Sequence, residues 1–257
     1  MRHFAAFFCF IILLTCPQDT NARNIILLTG EYAPYVSAGM DNYGFTAEVV
    51  SYAFLSVGIE TEFEFASWEN AEKKIATGKY FASFPHKRTI ERQKFAYFSD
   101  PIAWSKSIFF YMKGKIKAVD FEVIRDLKTY KIAGVKGYYY VPMFKRAELN
   151  VSYSSNSEIA FKKLYLEQVD LVPENEFVGW LIIEKLFPDE MWRFGASLKA
   201  LNEDSLHLMV SKKHPDAMVL LKKFNQGLKN IMKKGIYRSL LKKYIKHTDI
   251  KMPQSVF

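Results

Sequence analysis

The residues best suited to binding chemistry lie in the segment 81–101, FASFPHKRTIERQKFAYFSDP. A strand-like run ends at Phe84, Thr89 and Arg92 follow at a spacing of three, and Phe-Ser-Asp-Pro closes the segment. A guanidinium is planar, stays charged and presents five donors in a fixed fork, so an arginine here could hold a carboxylate. The segment alone leaves a second interpretation open, in which Arg92 is an exposed arginine at the start of a helix.

Other catalytic or metal-binding patterns are not recognisable. The sequence shows no nucleophile elbow, P-loop or metal-ligand cluster. Its five histidines are scattered, which disfavours a zinc site: His3, His86, His207, His214 and His247. Both cysteines, Cys9 and Cys16, lie near the N-terminus, so we expect no disulfide in the rest of the chain. We therefore expect no catalytic residue, no metal and no cofactor.

The N-terminus predicts export. A short basic start, an unbroken apolar run at residues 4–14 and small residues before Arg23 predict a signal peptide over residues 1–22, cleaved near Ala22. The apolar run is shorter than the roughly 20 residues that a membrane span needs. Residues 13–16 resemble a lipobox, but the residue before Cys16 is larger than usual and a proline follows it. Cleavage near Ala22 is favoured, and the expected location is the periplasm.

The net charge of +9 limits the possible partners. Removing the signal takes away one basic and one acidic residue, Arg2 and Asp19, and leaves the net charge unchanged. For an exported protein, anionic solutes or envelope surfaces are more plausible partners than nucleic acid. Lysine pairs recur along the C-terminal helices, and we interpret them as a solvated helix face: Lys222-Lys223, Lys233-Lys234 and Lys242-Lys243.

The first half of the chain alternates strand and helix signals. Strands are predicted at residues 25–29, 59–65 and 80–84. Phe45, Val49, Tyr52 and Ser56 share one face of a helix that ends at Gly58. Ser67 can cap a helix that stops at Gly78. This order predicts a doubly wound α/β lobe.

The same order follows beyond residue 110. Strands are predicted at residues 131–135, 169–172 and 206–210, a capping box at Ser155 and Glu158 begins a helix, and Pro215 opens another that ends at Gly235. The predicted fold is α/β, with two doubly wound lobes joined by a two-crossing hinge near residues 107–112 and 206–210. Lobe 1 comprises residues 23–110 and 207–257, and lobe 2 comprises residues 111–206.

Ligands of such sheets sit beyond the carboxyl ends of the strands, where the strand order switches. The loops after Thr29, Phe84, Val135 and Val172 should therefore face one cleft. This route to the binding site uses only the predicted strands.

Several short motifs, in this order and spacing, resemble the bacterial extracellular solute-binding proteins of family 3. They are Thr89-x-x-Arg92 with Phe98-Ser-x-Pro101, Glu31-Tyr-Ala-Pro-Tyr35, Gly134-Val-Lys-Gly137 and Gly235-Ile-Tyr237. The resemblance extends over nearly all of residues 23–257. It implies a two-lobed monomeric receptor that binds a small carboxylate-bearing solute, an amino acid or a related polar or aromatic acid. It also implies delivery of that solute to an ABC transporter permease.

The resemblance assigns roles to individual residues. It implies that Arg92 binds the carboxylate and that Tyr32 and Trp68 form aromatic walls, although both could instead pack within the first lobe. Lys87 stands where the family has small hydroxyl residues, and it adds a second cation.

The second lobe departs further from the family pattern. Tyr138 and Tyr139 replace the usual serine or threonine, and we expect both to face the cleft. The acidic residue that holds the ligand's ammonium aligns with Asn175, an amide without that charge. Glu174 or Glu176 could take over this role by a small shift.

Two alternatives remain open. The same module occurs as a sensor, so the chain could present its closed form to a membrane receptor. A few relatives of this fold are dehydratases that act on aromatic precursors with a cleft lysine and glutamate. In that case Lys87 and Glu174 would do acid–base work beside Arg92.

Overall fold

The computed structural model describes residues 23–245 of the 257-residue chain, and the predicted signal peptide lies outside the described residues. The strands are β1 Arg23–Thr29, β2 Ile59–Phe65, β3 Ala82–Lys87, β4 Ala96–Phe98, β5 Ala103–Met112, β6 Lys131–Val135, β7 Asn150–Ser154, β8 Val172–Asn175, β9 Phe194–Ala196 and β10 Asn202–Ser211. The helices are α1 Phe45–Leu55, α2 Trp68–Thr77, α3 Ile90–Gln93, α4 Val141–Arg146, α5 Ser157–Tyr165, α6 Glu176–Leu186, α7 Ala217–Lys233 and α8 Ile236–Ile245. Short 3-10 turns occupy Asp41–Tyr43, Ile124–Thr129 and Pro188–Arg193.

The helix signals in the first half have the predicted chemistry. The hydroxyl of Ser67 accepts a hydrogen bond from the backbone N–H of Asn70 at 3.4 Å, which begins α2. The helix ends at Gly78, whose φ of 85° is the left-handed conformation that glycine adopts without a steric penalty. The side chains of Ala71 and Ile75 lie on its buried face.

One sheet of eight strands organises most of the chain. Its order is β2-β1-β3-β10-β5-β8, with β4 beside β10 and β9 beside β5. Strand β1 pairs in parallel with β2 and β3, whereas β10 is antiparallel to β3 and β5. A second, parallel sheet consists of β6 and β7. The mixed α/β architecture with alternating strands and helices is confirmed.

Strands β5 and β10 are the two crossings predicted as a hinge. They pair antiparallel from Asn202 opposite Ser107 to Leu206 opposite Ala103. One core forms around Phe54 and Phe224, and separate cores form beyond the crossings. Strand β5 contributes Ala103 to the first core and Ile108 and Phe109 to the others, so it links the two halves, while its partner β10 contributes to the first core. The proposed lobe boundaries themselves stay a prediction.

Four local predictions differ from the structure. Strand β3 continues through Lys87 instead of ending at Phe84, and β8 runs from Val172 to Asn175, whereas this strand was predicted at residues 169–172. The cap of α5 is Asn156, which accepts from the N–H of Ile159, and not Ser155. Tyr52, predicted on the inner face of α1, is 41% exposed.

Among residues 23–245, no helix is both long and apolar enough to cross a membrane.

Candidate functional site

A cavity lies where the carboxyl ends of β1, β3, β6 and β8 meet. The space between its lining atoms is about 450 Å³, and part of that space is open to solvent. Its lining residues are Tyr32, Trp68, Pro85, His86, Lys87, Arg92, Ser107, Gly137, Tyr138, Tyr139, Tyr140, Glu174 and Leu206. Six of the seven predicted site residues are among them, and Asn175 is not.

Arg92 is 5% exposed and is held by protein groups on three sides. Its Nε donates to Glu72 Oε2 at 3.1 Å, its Nη1 to the carbonyl oxygen of Lys87 at 3.1 Å, and its Nη2 to that of Gly137 at 2.9 Å. Thr89 caps the short helix α3 by accepting from the backbone N–H of Arg92 at 3.2 Å. These bonds use three of five guanidinium N–H groups, so two can serve a carboxylate in the cavity.

Lys87 is buried on β3, which pairs with the crossing strand β10. Its Nζ donates to Ser107 Oγ on β5 at 3.1 Å and to Asn202 Oδ1 on β10 at 2.5 Å. The same ammonium lies 4.3 Å from the ring centroid of Tyr139. Burial lowers the pKa of Lys87 to about 7, against the smaller opposing effect of nearby carboxylates, the largest of which is Asp204.

Glu174 supplies a buried carboxyl group to the cavity. Its Oε1 accepts the backbone N–H of Asn175 at 2.7 Å, and its Oε2 accepts the hydroxyls of Ser157 and, at 3.2 Å, of Tyr138. Burial raises the pKa of Glu174 to about 7, because the cost of desolvating the charge exceeds the stabilisation by these donors and by Lys87. Glu174 therefore brings a carboxyl group to the cavity one residue before Asn175, the position with which the family's acidic residue aligns.

Asn175, which was expected to face the cleft, is not among the residues that line the cavity. Its Oδ1 accepts the backbone N–H groups of Phe177 at 2.9 Å and Val178 at 3.2 Å, which begins α6. Its Nδ2 donates to Ser105 Oγ at 3.0 Å and to Tyr35 Oη at 3.3 Å. A helix that starts directly after a buried strand needs such a cap, so the amide is fully used.

Aromatic rings enclose much of the cavity. Tyr32 meets the edge of Trp68 with 6.0 Å between ring centroids, and that of Tyr138 with 6.3 Å. Its other face stacks on Tyr35 at 5.4 Å. The buried hydroxyl of Tyr139 has no hydrogen-bond partner among the described residues, which leaves it able to bond a ligand.

His86 also lines the cavity, although the sequence placed it in a loop. It is 3% exposed on β3, with Nε2 2.9 Å from Ser83 Oγ and its ring centroid 5.4 Å from that of Trp68. Burial lowers the pKa of His86 well below its usual value, and the charge of Arg92 adds to this effect. A neutral imidazole at physiological pH follows from both causes.

Sequence reasoning missed several lining residues. Ser107 and Leu206 lie on the crossing strands, and their position at the predicted hinge was a usable signal. Pro85 and Tyr140 line the cavity mainly with apolar surface. The hydroxyl of Tyr140 accepts a hydrogen bond from the backbone N–H of Val135 at 2.9 Å, and its ring stacks on that of Phe144. Tyr140 therefore packs between β6 and α4.

The two sides of the cavity touch at Gly137. A Cβ placed there would lie 2.4 Å from the backbone nitrogen of Glu69 and 2.8 Å from the carbonyl carbon of Trp68. Elsewhere, the guanidinium of Arg146 on α4 pairs with the carboxylate of Glu91 on α3. The loop after β6 and helix α4 therefore contact α2 and α3, respectively.

Together the site offers a guanidinium with spare donors, an ammonium, a carboxyl group and aromatic walls. This set can hold a solute that has a carboxylate and a second polar or cationic group. No cluster of three or more His, Cys, Asp or Glu among the described residues is arranged to hold a metal.

Solved structures share this fold at low sequence identity. The ligand-binding core of GluR0 from Nostoc punctiforme, in complex with L-glutamate, has a TM-score of 0.71 and 22% identity, over 86% of this chain and 98% of that one. The substrate-binding protein of an amino acid ABC transporter gives 0.70 and 18%, over 87% and 100%. A histidine kinase sensor domain similar to periplasmic binding proteins gives 0.74 and 16%, over 90% and 99%.

No curated protein matches the chain. The model of the bacterial extracellular solute-binding proteins, family 3, matches residues 25–247, which includes every residue that lines the cavity. The chain therefore belongs to the bacterial extracellular solute-binding proteins of family 3.

Proposed function

We propose that this chain is a periplasmic receptor that binds a small carboxylate-bearing solute for ABC-type import. The observation that carries the proposal is the buried guanidinium of Arg92, which lines the cavity and keeps two N–H groups beyond its bonds to protein. A buried cation that is only partly bonded gains most from an ionised ligand oxygen.

The other lining residues complete the ligand's environment. Tyr32 and Trp68 form apolar walls, and Tyr138 and Tyr139 close the cavity from the opposite side. Glu174, one of the two carboxylates that the sequence offered in place of Asn175, is the partner for the solute's ammonium group. Its carboxylate uses three donors from the protein and retains acceptor capacity. An amino acid or a related polar or aromatic acid meets these requirements.

Binding is proposed to close two lobes around the solute. Lobe 1 comprises residues 23–110 and 207–257, lobe 2 comprises residues 111–206, and β5 and β10 form the hinge. The cross-cavity bond from Arg92 to Gly137 belongs to the closed arrangement, which a permease would recognise in a monomeric receptor. Two structural neighbours are a ligand-binding core in complex with L-glutamate and the substrate-binding protein of an amino acid ABC transporter, in agreement with this class of solute.

The test is a thermal-shift screen of the exported chain against L-amino acids, aromatic acids, peptides and dicarboxylates. We expect at least one carboxylate to raise Tm by several degrees in the wild type and by none in Arg92→Ala. Arg88→Ala is the matched control, because Arg88 is exposed and does not line the cavity. An equal rise in Tm in Arg92→Ala would refute the assigned role of Arg92. If no ligand of the panel raised the Tm of the wild type, the proposed solute class would be refuted.

A dehydratase-like enzyme is a second candidate, favoured by one observation. Lys87 and Glu174 line the same cavity, and burial brings the pKa of each to about 7. An acid and a base are most effective when their pKa values lie near the working pH. Mass spectrometry of each thermal-shift ligand after incubation decides between the two: loss of one water from the ligand supports the enzyme, and an unchanged ligand supports the receptor.

Sensing is the other alternative. One structural neighbour is a kinase sensor domain, and a sensor would use the same solute-bound closed form. Deleting the chain's gene and measuring solute uptake distinguishes import from sensing, because import requires the receptor directly.

A further inference from the structure

The two C-terminal helices hold almost all of the net charge. Residues 217–245 contain eight Lys or Arg and no Asp or Glu, whereas the whole chain has a net charge of +9. The remaining residues are therefore nearly balanced. The positive potential is concentrated on α7, α8 and the turn between them.

The outer side of α7 combines lysines with exposed apolar side chains. Its inner side, including Leu220, Phe224 and Leu228, is buried in the core. Lys222, Lys229 and Lys233 are exposed, and their spacing of seven and four places them on one stripe. Between and beside them, three apolar side chains reach solvent: Met218 is 47%, Val219 56% and Met232 42% exposed.

We define the basic face of α7 by its exposed lysines and apolar side chains: Met218, Val219, Lys222, Lys223, Lys229, Met232 and Lys233. A solvated helix face explains lysines by themselves. It explains neither the complete lack of acidic residues nor the apolar side chains among the lysines. Helices that lie in the membrane interface have this combination.

A groove of about 520 Å³ adjoins the basic face, since Leu221 of α7 forms part of its lining. In it the guanidinium of Arg88 lies 5.6 Å from the ring centroid of Phe98, and Lys212 Nζ lies 5.3 Å from that of Tyr97. Tyr97 is 38% exposed. Cations on a partly exposed aromatic surface suit the headgroup level of a bilayer, where tyrosine is enriched.

We propose that the basic face of α7 and this groove bind the anionic headgroups of a lipid bilayer. An acidic protein would match the charge equally well, and we favour the bilayer because exposed apolar side chains such as Met218, Val219 and Met232 among lysines are typical of helices at the membrane interface. None of the residues in the basic face or the groove lines the solute cavity. Membrane contact would therefore keep the receptor near its transporter without covering the cavity.

The experiment is co-sedimentation of the exported chain with vesicles of phosphatidylcholine, with and without phosphatidylglycerol. We expect binding only to the anionic vesicles, weakening as salt is raised. A variant with three lysines of the basic face neutralised should bind about 100-fold more weakly, because each lysine near an anionic surface contributes about fivefold: Lys222→Gln, Lys229→Gln and Lys233→Gln.

A second triple variant controls for net charge. It neutralises three exposed lysines outside the C-terminal helices and has the same net charge as the first: Lys113→Gln, Lys117→Gln and Lys162→Gln. We expect this control to bind within about threefold of the wild type. An equal loss of vesicle affinity in both triple variants would overturn the proposal, because binding would then depend only on the net charge of the protein. Failure of the wild type to bind anionic vesicles at low salt would overturn it too, and would favour an acidic protein as the partner.

Discussion

Arg92 Nη2 on one side of the cavity donates a hydrogen bond to the carbonyl oxygen of Gly137 on the other, across 2.9 Å. The same guanidinium is fixed on its own side by Glu72 and by the carbonyl oxygen of Lys87. One buried cation thus links both sides of the proposed cleft and still presents donors to a solute. We therefore expect solute binding and closure of the cleft to be coupled through this side chain.

Arg92→Lys should weaken solute binding by about 100-fold, even though it keeps the positive charge. An ammonium cannot bind a carboxylate with two parallel N–H groups, and it cannot reach Glu72, Gly137 and the solute together. Isothermal titration calorimetry with the solute found by thermal shift measures this change. Arg88→Lys is the matched control and should leave the affinity within about twofold. Equal affinities of Arg92→Lys and the wild type would show that a point charge is enough.

Glu174→Gln should remove a pH dependence of stability between pH 4.5 and about 7. In the folded chain, burial raises the pKa of Glu174 from 4.5 to about 7, so within this range the folded state binds a proton that the unfolded state has lost. The stabilisation due to this group is complete below pH 4.5 and is lost as the pH rises through 7. Relative to Glu174→Gln, the wild type should lose on the order of 3 kcal/mol of unfolding free energy across this range.

Urea unfolding at a series of pH values measures this difference. The exposed Glu148→Gln, whose wild-type carboxylate pairs with Lys128, is the control and should give no such loss between pH 5 and 7. A constant difference between wild type and Glu174→Gln over the whole range would contradict the prediction.

Lys87→Met should reveal the opposite slope at higher pH. Burial lowers the pKa of Lys87 from 10.5 to about 7, so between these values the unfolded chain binds a proton that the folded chain lacks. The wild type should therefore gain stability relative to Lys87→Met as the pH rises from 7 to 10, by up to about 4 kcal/mol. Chemical denaturation of both proteins at pH 7, 8.5 and 10 tests this. An equal response in the exposed control Lys117→Met would exclude burial as the cause.

The sequence predicted the order of elements and most of the cavity because those features depend on local signals. Ser67 and Gly78 delimit α2 through cap chemistry that any sequence with these residues would show. The convergence of the loops after Thr29 and Val135 follows from strand direction alone, since ligands gather at the carboxyl ends of strands.

The errors concern residues whose placement depends on distant partners. The strand predicted at residues 80–84 stopped before Pro85, which has no N–H for a ladder. In the structure β3 continues to Lys87, since the pairing with β10 shifts register between His207 and Met209 and accommodates the proline. His86 and Lys87 are consequently buried.

Asn175 and Glu174 show the same limit one residue apart. Alignment to a motif cannot decide which of two adjacent residues on a strand faces the cavity, because neighbours point to opposite sides. Here Glu174 faces the cavity, and Asn175 turns to Ser105 and the start of α6. The choice depends on partners that are distant in sequence, since Ser157 binds the carboxyl group of Glu174 whereas Ser105 and Tyr35 bind the amide of Asn175.

Gly137→Ala should separate the effect of cleft closure from that of backbone strain. Gly137 has φ of 78°, and a Cβ there would lie 2.4 Å from the backbone nitrogen of Glu69. Alanine must therefore move this segment away from Trp68 and Glu69, which breaks the bond from Arg92 to the carbonyl oxygen of residue 137. We expect at least tenfold weaker solute binding, measured by calorimetry, and a loss of about 1 kcal/mol of stability from the left-handed conformation.

Gly235→Ala is the matched control for this experiment. Gly235 has φ of 74°, but a Cβ there would meet no heavy atom within 4 Å. Its alanine variant should lose a similar amount of stability, about 1 kcal/mol, and keep wild-type affinity for the solute. If both variants bound the solute equally well, the contact between Gly137 and the start of α2 would have no part in binding. If both lost affinity equally, strain alone would account for the loss, because only Gly137 touches the opposite side of the cavity.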